Sequence, residues 1–509
     1  MNKKSFLTVS VIFVIGFLLR VLYLNKSAIT FSYDQARDAF FVKQIIAGDI
    51  KIQGPSANAP GLYHGVLYDY FLAVPYFASK GNPVVADYWL AFFSSATVFV
   101  VYFLSFFLFR KRDVSLLSSL FFVFSFEASQ YATWLSNPTI GLLFVPLTYL
   151  FLWLWTRNKN VWYALLTGVF FGFSIQSDLF LAYHIAAIAT WLIICKKSIT
   201  LRQFGAFVGG LIAGTCTIWI SQIKFGLTGI KGLIYLFTGG NTLLSVKGFG
   251  DFIVVYLNQI GKTFSLNLFP LSLGFGGFIG FVMIVWFTQK WGRESKNHLE
   301  DPKFFLLLYL FSHLPVVFFG GNDTPYLTVG IGIAVCILAA MFISAIWKKS
   351  KIFAVILTFI VILSGLTKIL SENKDGQTIF TLRREMVLSN LEQAVDYTYQ
   401  SSGGQRFSIN SITAPLWLNT TWSYMYSWYG LGKYGYLPYW HGRSQVGDIG
   451  DILPDTPKNI QIYYFIIEPQ EGIPQNFVDD AISEENSKTA VVEQKNFGGI
   501  VVQKRTLLK

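Results

Sequence analysis

The stretch Phe31-Ser-Tyr-Asp-Gln-Ala-Arg-Asp-Ala-Phe40 follows directly on the first long apolar run, at the point where a membrane span would end. Asp34 and Asp38 are four residues apart, so a helix would carry both carboxylates on one face, with Arg37 within reach of Asp34. Aromatic residues on either side would hold the segment at the bilayer surface. A carboxylate at such a boundary can act as a general base beside a lipid-borne substrate. The alternative is an ordinary surface helix capped by Ser32 or Asp34.

The composition indicates a polytopic helical membrane protein. Of the 509 residues, 53% are hydrophobic and only 13% are charged, and the apolar residues fall in long blocks. Residues 371–509 carry 12 Lys/Arg and 15 Asp/Glu, so the net charge of +12 arises in residues 1–370. This pattern fits the positive-inside rule and does not indicate a nucleic-acid partner. The three cysteines have neither the spacing of a metal site nor that of a disulfide framework.

Eleven apolar runs are long enough to cross, or nearly cross, a hydrocarbon core about 30 Å thick. They cover residues 5–24, 84–109, 114–131, 138–156, 161–176, 179–195, 203–221, 267–289, 304–320, 326–347 and 352–370. If the N-terminus is cytoplasmic, the basic clusters that follow every second run all fall on the cytoplasmic side. The odd number of runs then places residues 371–509 outside, as it does the loops 25–83, 132–137, 222–266 and 321–325. We therefore predict a multi-pass protein of the cell membrane with an extracytoplasmic C-terminal domain.

The two largest outer regions have patterns of their own. Residues 25–83 are amphipathic, and turn signals at Gly54-Pro55 and at 59–61 divide them into short helices lying in the interface. Residues 371–509 read as a small α/β domain, with a helix over 381–400 and strands at 407–412, 460–467, 490–495 and 500–503. The predicted fold is thus mainly α: about 11 transmembrane helices in a domain of residues 1–370, interfacial helices, and a C-terminal α/β domain of residues 371–509.

Several polar residues lie on the same predicted side as Asp34. His64, between glycines, could donate a hydrogen bond to a phosphate, or it could simply pack at the surface. Asp69 is either a second acid or an interfacial charge. Glu127 stands at the outer end of the third run, where an ionisable group usually faces a cavity or a partner. It could orient an acceptor or support Asp34.

Four further residues are candidates for weaker roles. Arg20, in the outer third of the first run, could reach lipid phosphates or the phosphate of a bound donor. Asp178 and His184 could line a cavity or close a local helix cap. Tyr326 ends the short loop 321–325 and could add one polar contact.

Missing motifs narrow the chemistry. The sequence has no Walker loop, no dinucleotide fingerprint, no Gly-x-Ser-x-Gly and no zinc spacing. No inner loop is large enough to form a nucleotide-binding domain. A sugar donor used outside the cell is therefore more plausibly lipid-linked than a nucleotide sugar.

The layout resembles that of the GT-C glycosyltransferases, in particular bacterial members akin to protein O-mannosyltransferases and lipid A aminoarabinose transferases. The resemblance rests on Tyr33-Asp-Gln-Ala-Arg-Asp-Ala39, Gly54-Pro55 and His64-Gly-Val-Leu-Tyr68, and it covers about residues 1–370. It implies a catalytic aspartate in the first outer loop, the place of Asp34. Many members have Asp-Glu there, whereas this chain has Gln35. Glu127 becomes the candidate for the second acid.

The resemblance also suggests how the donor is held. Related enzymes often place a lysine near the donor phosphate late in the first loop, where His64 stands nearest in this chain. The Trp-Trp-Asp motif of oligosaccharyltransferases is absent, which disfavours transfer of a whole glycan to asparagine.

We therefore predict an inverting hexosyl- or pentosyltransferase that moves a sugar from a polyprenyl-phosphate carrier to an acceptor hydroxyl on the outer face. The acceptor is a lipid, a glycan or a protein. Asp34 and Glu127 are the catalytic candidates, and Arg20, Arg37 and His64 the donor-phosphate candidates. The substrate-cavity candidates are Asp38, Asp69, Asp178, His184 and Tyr326. No cofactor is predicted, although Asp34 with Glu127 could hold a divalent metal. The alternatives are a lipid-linked glycan polymerase or ligase and, from another class, a lipid or sugar transporter.

Overall fold

The computed structural model describes residues 3–56, 61–237, 249–294, 299–315, 325–444 and 449–508. Within these ranges the chain is mainly helical and carries one five-stranded sheet near its C-terminal end. Most of the predicted loop 321–325 and part of the predicted turn 59–61 lie outside the described residues.

Seventeen described helices precede the C-terminal sheet region. They are α1 (Lys3–Val21), α2 (Tyr33–Ile46), α3 (Leu67–Ser79), α4 (Pro83–Phe109), α5 (Arg112–Val123), α6 (Phe126–Gln130), α7 (Gly141–Asn158), α8 (Val161–Ser177), α9 (His184–Ile194), α10 (Leu201–Gly214), α11 (Cys216–Lys224), α12 (Thr228–Phe237), α13 (Phe249–Leu268), α14 (Leu273–Glu294), α15 (Pro302–Leu310), α16 (Gly332–Trp347) and α17 (Lys351–Glu372). The predicted interfacial helices of the first loop are α2 and α3.

The predicted count of about 11 transmembrane helices is not confirmed. Among the described residues, five helical segments are long and apolar enough to cross a membrane. They are Lys3–Lys26, Pro83–Phe109, Asn137–Asn158, Leu273–Glu294 and Lys351–Asp375. A sixth is added if α10 and α11, which meet at 63°, form one broken span.

The other predicted runs form shorter helices because polar residues interrupt them. The third run breaks at Ser125, whose hydroxyl accepts the N–H of Ala128 at 3.0 Å and starts α6. The fifth run ends at Asp178, which caps the 3₁₀ segment Leu179–Tyr183. These breaks bring polar side chains to the ends of apolar helices, where they can face a cavity.

The C-terminal sheet consists of β1 (Phe407–Ile412), β2 (Tyr439–Trp440), β3 (Ile462–Ile467), β4 (Thr489–Phe497) and β5 (Ile500–Leu507). Its strand order is β2-β1-β3-β5-β4, with β1 parallel to β2 and β3, and β5 antiparallel to β3 and β4. Four helices accompany it: α18 (Leu388–Ser401), α19 (Thr420–Met425), α20 (Leu431–Tyr434) and α21 (Gln475–Lys488). The predicted strands match β1, β3, β4 and β5, whereas the two-residue β2 was not predicted.

The first loop and the C-terminal region share one hydrophobic core. Phe31 and Phe40 pack on Tyr424, with ring centroids 5.5 and 5.3 Å apart. Just before α2, Thr30 forms β-bridges with both Trp134 and Val387. The start of α2 is therefore held between the segment after α6 and the beginning of the C-terminal region.

Candidate active site

The first turn of α2 is built around Gln35. Its side-chain oxygen accepts hydrogen bonds from the backbone N–H of Ser32 at 3.0 Å and from the Ser32 hydroxyl at 2.9 Å. Its amide nitrogen donates to the carbonyl of Leu135 at 2.9 Å. Gln35 stands where the resemblance places a second acid in many relatives. Here it starts the helix and ties it to the segment after α6.

Arg37 joins the two carboxylates of α2. Its Nη1 donates to Asp34 at 2.8 Å, and its Nε and Nη2 donate to Asp38 at 2.9 and 2.8 Å. The Asp34 side chain is 61% exposed, whereas that of Asp38 is 4% exposed. Asp34 is thus exposed to solvent. Its orientation is set by the Arg37 guanidinium, which is held in turn by the buried Asp38.

The electrostatics of this trio follow from burial and charge. Burial lowers the pKa of Arg37, but Asp38 and Asp34 outweigh that effect and raise it above its ordinary value. Burial raises the pKa of Asp38, with Asp34 adding to the effect and Arg37 opposing it. The guanidinium therefore stays charged beside Asp34 at any physiological pH.

His64 lies beside this trio. Its backbone pairs with the turn before it, through hydrogen bonds from Gly54 to His64 and from His64 to Pro55 at 3.1 and 2.9 Å. Burial, followed by the charge of Arg37, lowers the pKa of His64 to about 4, whereas Asp34 acts in the opposite direction. Its Nδ1 is buried and has no hydrogen-bond partner among the described residues. The imidazole is therefore neutral at physiological pH and keeps one nitrogen without a partner in the described part of the chain.

The glycine after His64 serves the fold. A Cβ at Gly65 would lie 2.7 Å from the side chain of Gln176, so the absence of a side chain lets the loop pack closely on α8. On the other side of the loop, Asp69 is 1% exposed and its Oδ1 has no partner within the described part of the chain. Burial, and then the charge of Asp38, raises the pKa of Asp69 well above its ordinary value.

A second group of predicted residues comes from the end of α8 and from the 3₁₀ segment Pro325–Thr328. The Tyr326 phenol lies within electrostatic reach of the Asp178 and Asp34 carboxylates. Asp178 is 1% exposed and accepts the backbone N–H of Phe180 at 3.0 Å, so it does cap a local helix. Its proximity to Tyr326 also places it at the margin of the same space.

Glu127 lies one layer deeper. Its carboxylate accepts a hydrogen bond from the Asn267 side chain and another from Thr328. Tyr131 connects Glu127 with the residues near Asp34, since its phenol lies within electrostatic reach of Glu127, Asp178 and Tyr326. The structure therefore gives Glu127 protein partners and no direct contact with Asp34.

Two predicted residues lie elsewhere. The Arg20 side chain is 1% exposed and donates to Ser94 and to the carbonyl of Gly16, each at 3.1 Å, so in this structure it joins α1 to α4. His184 is buried against α7, with its Nδ1 2.9 Å from the Tyr149 hydroxyl. Neither side chain contacts the trio of α2.

Sequence reasoning missed an aromatic wall beside this site. Phe380 stacks on Tyr131 and on Trp134, with ring centroids 4.4 and 4.6 Å apart, and Trp134 lies 5.8 Å from Tyr326. Phe380 follows α17 and comes from the C-terminal region. Tyr131 and Trp134 flank the predicted Glu127, which was the available signal, but nothing local to Phe380 indicates this contact.

Metal ligation has no evident place here. Among the described residues, no group of three or more His, Cys, Asp or Glu side chains has the arrangement of a metal site. Independence from metals stays a prediction.

Comparisons with known proteins agree with the architecture. The family model described as dolichyl-phosphate-mannose-protein mannosyltransferase matches residues 65–221. A solved structure of ArnT from Cupriavidus metallidurans bound to undecaprenyl phosphate has a similar fold, with a TM-score of 0.60, 10% sequence identity, and coverage of 98% of this chain and 97% of that chain. The apo structure of the same ArnT gives a TM-score of 0.58 at 12% identity, with the same coverage. A sequence search of curated proteins gives no match.

The chain therefore has an ArnT-like fold, and the resemblance to protein mannosyltransferases and aminoarabinose transferases that its sequence predicts is confirmed. The families of the two comparisons, that of protein mannosyltransferases and that of ArnT, consist of glycosyltransferases. The apolar spans are those of a multi-pass membrane protein.

Proposed function

We propose that this chain is an inverting glycosyltransferase that moves a sugar from a polyprenyl-phosphate carrier to an acceptor hydroxyl on the outer face of the cell membrane. The observation that carries the proposal is the setting of Asp34. Its carboxylate is 61% exposed, is oriented by Arg37, and lies beside His64 and Tyr326. Support also comes from the fold, since one ArnT structure holds undecaprenyl phosphate.

Asp34 acts as the general base. It removes the proton of the acceptor hydroxyl while the hydroxyl oxygen attacks the anomeric carbon of the donor sugar. The bond from that carbon to the lipid phosphate breaks as the new bond forms, and the phosphate leaves with the bonding electrons. Because a phosphate oxygen is stable as an anion, its departure requires no general acid.

Arg37 and His64 assist without taking a proton. Arg37 donates three N–H groups to Asp34 and Asp38, so its first role is to hold the base in position. Its remaining N–H groups and a neutral His64 are the candidates for contacts with the leaving phosphate. Arg20 is not assigned to the phosphate because its side chain is 1% exposed and lies between α1 and α4, where it donates to Ser94 and to Gly16.

A transfer assay with a donor panel tests the proposal. Wild-type protein is reconstituted in liposomes with undecaprenyl-phosphate-linked hexoses and pentoses, and mass spectrometry follows free undecaprenyl phosphate together with the glycosylated product of an envelope extract. We expect one donor to release its carrier in step with the addition of a single sugar. Movement of an intact donor across the bilayer without cleavage would contradict the proposal and favour a transporter. Addition of long glycans would favour a polymerase or ligase.

A further inference from the structure

A cleft outside the candidate active site lies on the face of α2 opposite Asp34. The cleft has a volume of about 250 Å³. It is lined by Ala39, Lys43, Ile46, Tyr76, Phe77, Lys80, Gly81 and Tyr424. Lys43 follows Asp34 by nine residues, which on a helix is a rotation of about 180°, so this cleft and the exposed carboxylate lie on opposite faces of α2.

The walls of the cleft are apolar and continue into an exposed apolar surface. Phe77 is 73% exposed, and Val74, one turn earlier on α3, is 55% exposed. Ile46 and Ile50, at and just after the end of α2, are 37% and 82% exposed. Side chains of this kind, on helices that the sequence predicts to lie in the interface, are expected to face lipid.

Two ammonium groups stand at this cleft without counter-ions. Neither Lys43 nor Lys80 has a carboxylate within ion-pair distance among the residues described, and the contact found for Lys43 is the Phe40 ring, 5.6 Å away. Burial lowers the pKa of Lys43, a change that a bound anion would reverse. By contrast, Lys51 on the same loop is paired with Asp49.

The floor of the cleft is formed by two parts of the chain, the end of α3 and α19. The Tyr424 hydroxyl, from α19, donates to the carbonyl of Gly81, just after α3. Gly81 has a φ of +92°, and a Cβ there would lie 3.3 Å from the Tyr424 hydroxyl. A molecule in the cleft would therefore contact α2, α3 and the C-terminal region together.

From this cleft we infer a binding site for an anionic phospholipid of the bilayer, with part of one acyl chain between Ile46 and Phe77 and the headgroup phosphate between Lys43 and Lys80. The volume exceeds that of one water, about 30 Å³ in the liquid, and suits a short stretch of hydrocarbon. Two ammonium groups at one cleft favour a headgroup with a net negative charge over a zwitterionic headgroup, whose phosphate is balanced by its own cation. This site is separate from the donor site and does not rest on the proposed activity.

Lipid binding to purified protein tests the inference. Native mass spectrometry in a neutral detergent measures retention of dioleoylphosphatidylglycerol and of the matching phosphatidylcholine. The test variant is Lys43→Gln/Lys80→Gln. The control is Lys433→Gln/Lys488→Gln, which removes the same charge from two lysines that are ion-paired with Asp396 and Glu484. We expect the test variant to bind phosphatidylglycerol at least about tenfold more weakly and the control to bind as the wild type.

Four outcomes would overturn the inference. The first two are an equal loss of phosphatidylglycerol binding in both double variants and no loss in the test variant. The third is binding of phosphatidylcholine by the wild type as strong as that of phosphatidylglycerol. The fourth is complete displacement of phosphatidylglycerol by inorganic phosphate or by undecaprenyl phosphate at equal concentration. A second comparison does not depend on charge. Phe77→Ser should weaken phosphatidylglycerol binding, whereas Ile50→Ser, outside the cleft, should not; equal effects of the two would also contradict the site.

Discussion

Asp34 owes its position to residues that are not acidic. Gln35 and Ser32 start α2, and Thr30 joins the segment before α2 to two other parts of the chain. The Thr30 hydroxyl also donates to the carbonyl of Gly376, at 3.0 Å. The chemistry assigned to Asp34 therefore depends on packing between the N-terminal loop and the start of the C-terminal region.

Gly376 is the residue that permits this packing. It has a φ of +70°, and a Cβ there would lie 2.5 Å from the backbone carbon of Ala28 and 2.7 Å from the nitrogen of Ile29. We expect Gly376→Ala to displace the segment before α2, lowering both the thermal unfolding midpoint and the rate of sugar transfer. The control is Gly403→Ala, since Gly403 has a φ of +63° but open space around it. Equal effects of the two variants would mean that backbone strain alone, without the clash, is responsible.

Glu468 provides a pH-dependent test of the C-terminal region. It is buried and accepts a hydrogen bond from Arg383 at 2.8 Å. Burial raises its pKa from 4.5 to about 7, against the opposing charge of Arg383. Between these values the folded chain binds the proton that the unfolded chain has released, so this group makes the free energy of unfolding fall as pH rises.

We therefore expect Glu468→Gln to flatten the pH dependence of the thermal unfolding midpoint between about pH 4.5 and 7. Glu484→Gln is the control, because Glu484 is more exposed and its lysine and arginine partners lower its pKa. A curve for Glu468→Gln parallel to that of the wild type would show that this carboxyl does not take up a proton on folding.

For single residues, the sequence predicts those features that depend on residues close by in the chain. The Asp34–Arg37 pair follows from helical spacing, and the cap at Ser32 from its residue type. His64, Tyr326 and Phe380 reach the site through tertiary packing, which no local pattern encodes. For the same reason, no local pattern indicates that Arg20 is enclosed between helices.

At the scale of elements, close helix packing depends on glycines. A Cβ at Gly168 of α8 would lie 2.1 Å from the carbonyl oxygen of Phe207, and a Cβ at Gly210 of α10 would lie 2.2 Å from that of Leu165. The two backbones are therefore in contact, as small residues allow in membrane helices. This contact holds the helix that ends at Asp178.

The contact predicts a sharp difference between adjacent glycines. Gly210→Ala should separate α8 from α10 and destabilise the protein by about 1–3 kcal/mol, the usual cost of overpacking. Gly209→Ala should be nearly neutral, since nothing lies within 4 Å of a Cβ at that position. Thermal unfolding of the two purified variants in the same detergent decides the matter; indistinguishable midpoints would contradict the packing.

Hydropathy predicted where most helices begin but not how many of them cross a membrane. Runs such as 114–131 are predominantly apolar, yet Ser125 caps a new helix inside this run. A window average does not register one capping residue, because its effect is local hydrogen bonding and its contribution to mean hydropathy is small. The C-terminal strands were easier to predict because alternation and turn residues agree there.

For the whole molecule, the N-terminal loop and the C-terminal sheet region act as one packed unit. Phe31, Phe40 and Tyr424 lie in the same core. The division at residue 370 that the sequence predicts marks the end of the last apolar run, but the packing crosses it. Charge and hydropathy patterns carry no information about such a contact between distant segments.

The proposed orientation has its own test. In a variant without native cysteines, a cysteine at Asp49 should react with a membrane-impermeant maleimide in intact cells, because residues 25–83 are predicted to lie outside. Asp49 is a suitable position, since its side chain is 58% exposed. A cysteine at Lys349, in a predicted cytoplasmic cluster, should react only after permeabilisation. The reverse pattern would place Asp34 on the cytoplasmic side.

The central claim is that the Asp34 carboxylate is the catalytic base. The most direct measurement is the rate of sugar transfer by purified Asp34→Asn beside Asp49→Asn, a control in which an aspartate of similar exposure, also ion-paired, is changed on the same loop. With unfolding midpoints unchanged, we predict that Asp34→Asn loses at least about 100-fold in rate, the usual contribution of a general base, while Asp49→Asn keeps wild-type activity. Transfer by Asp34→Asn within a few-fold of the wild-type rate would contradict the account.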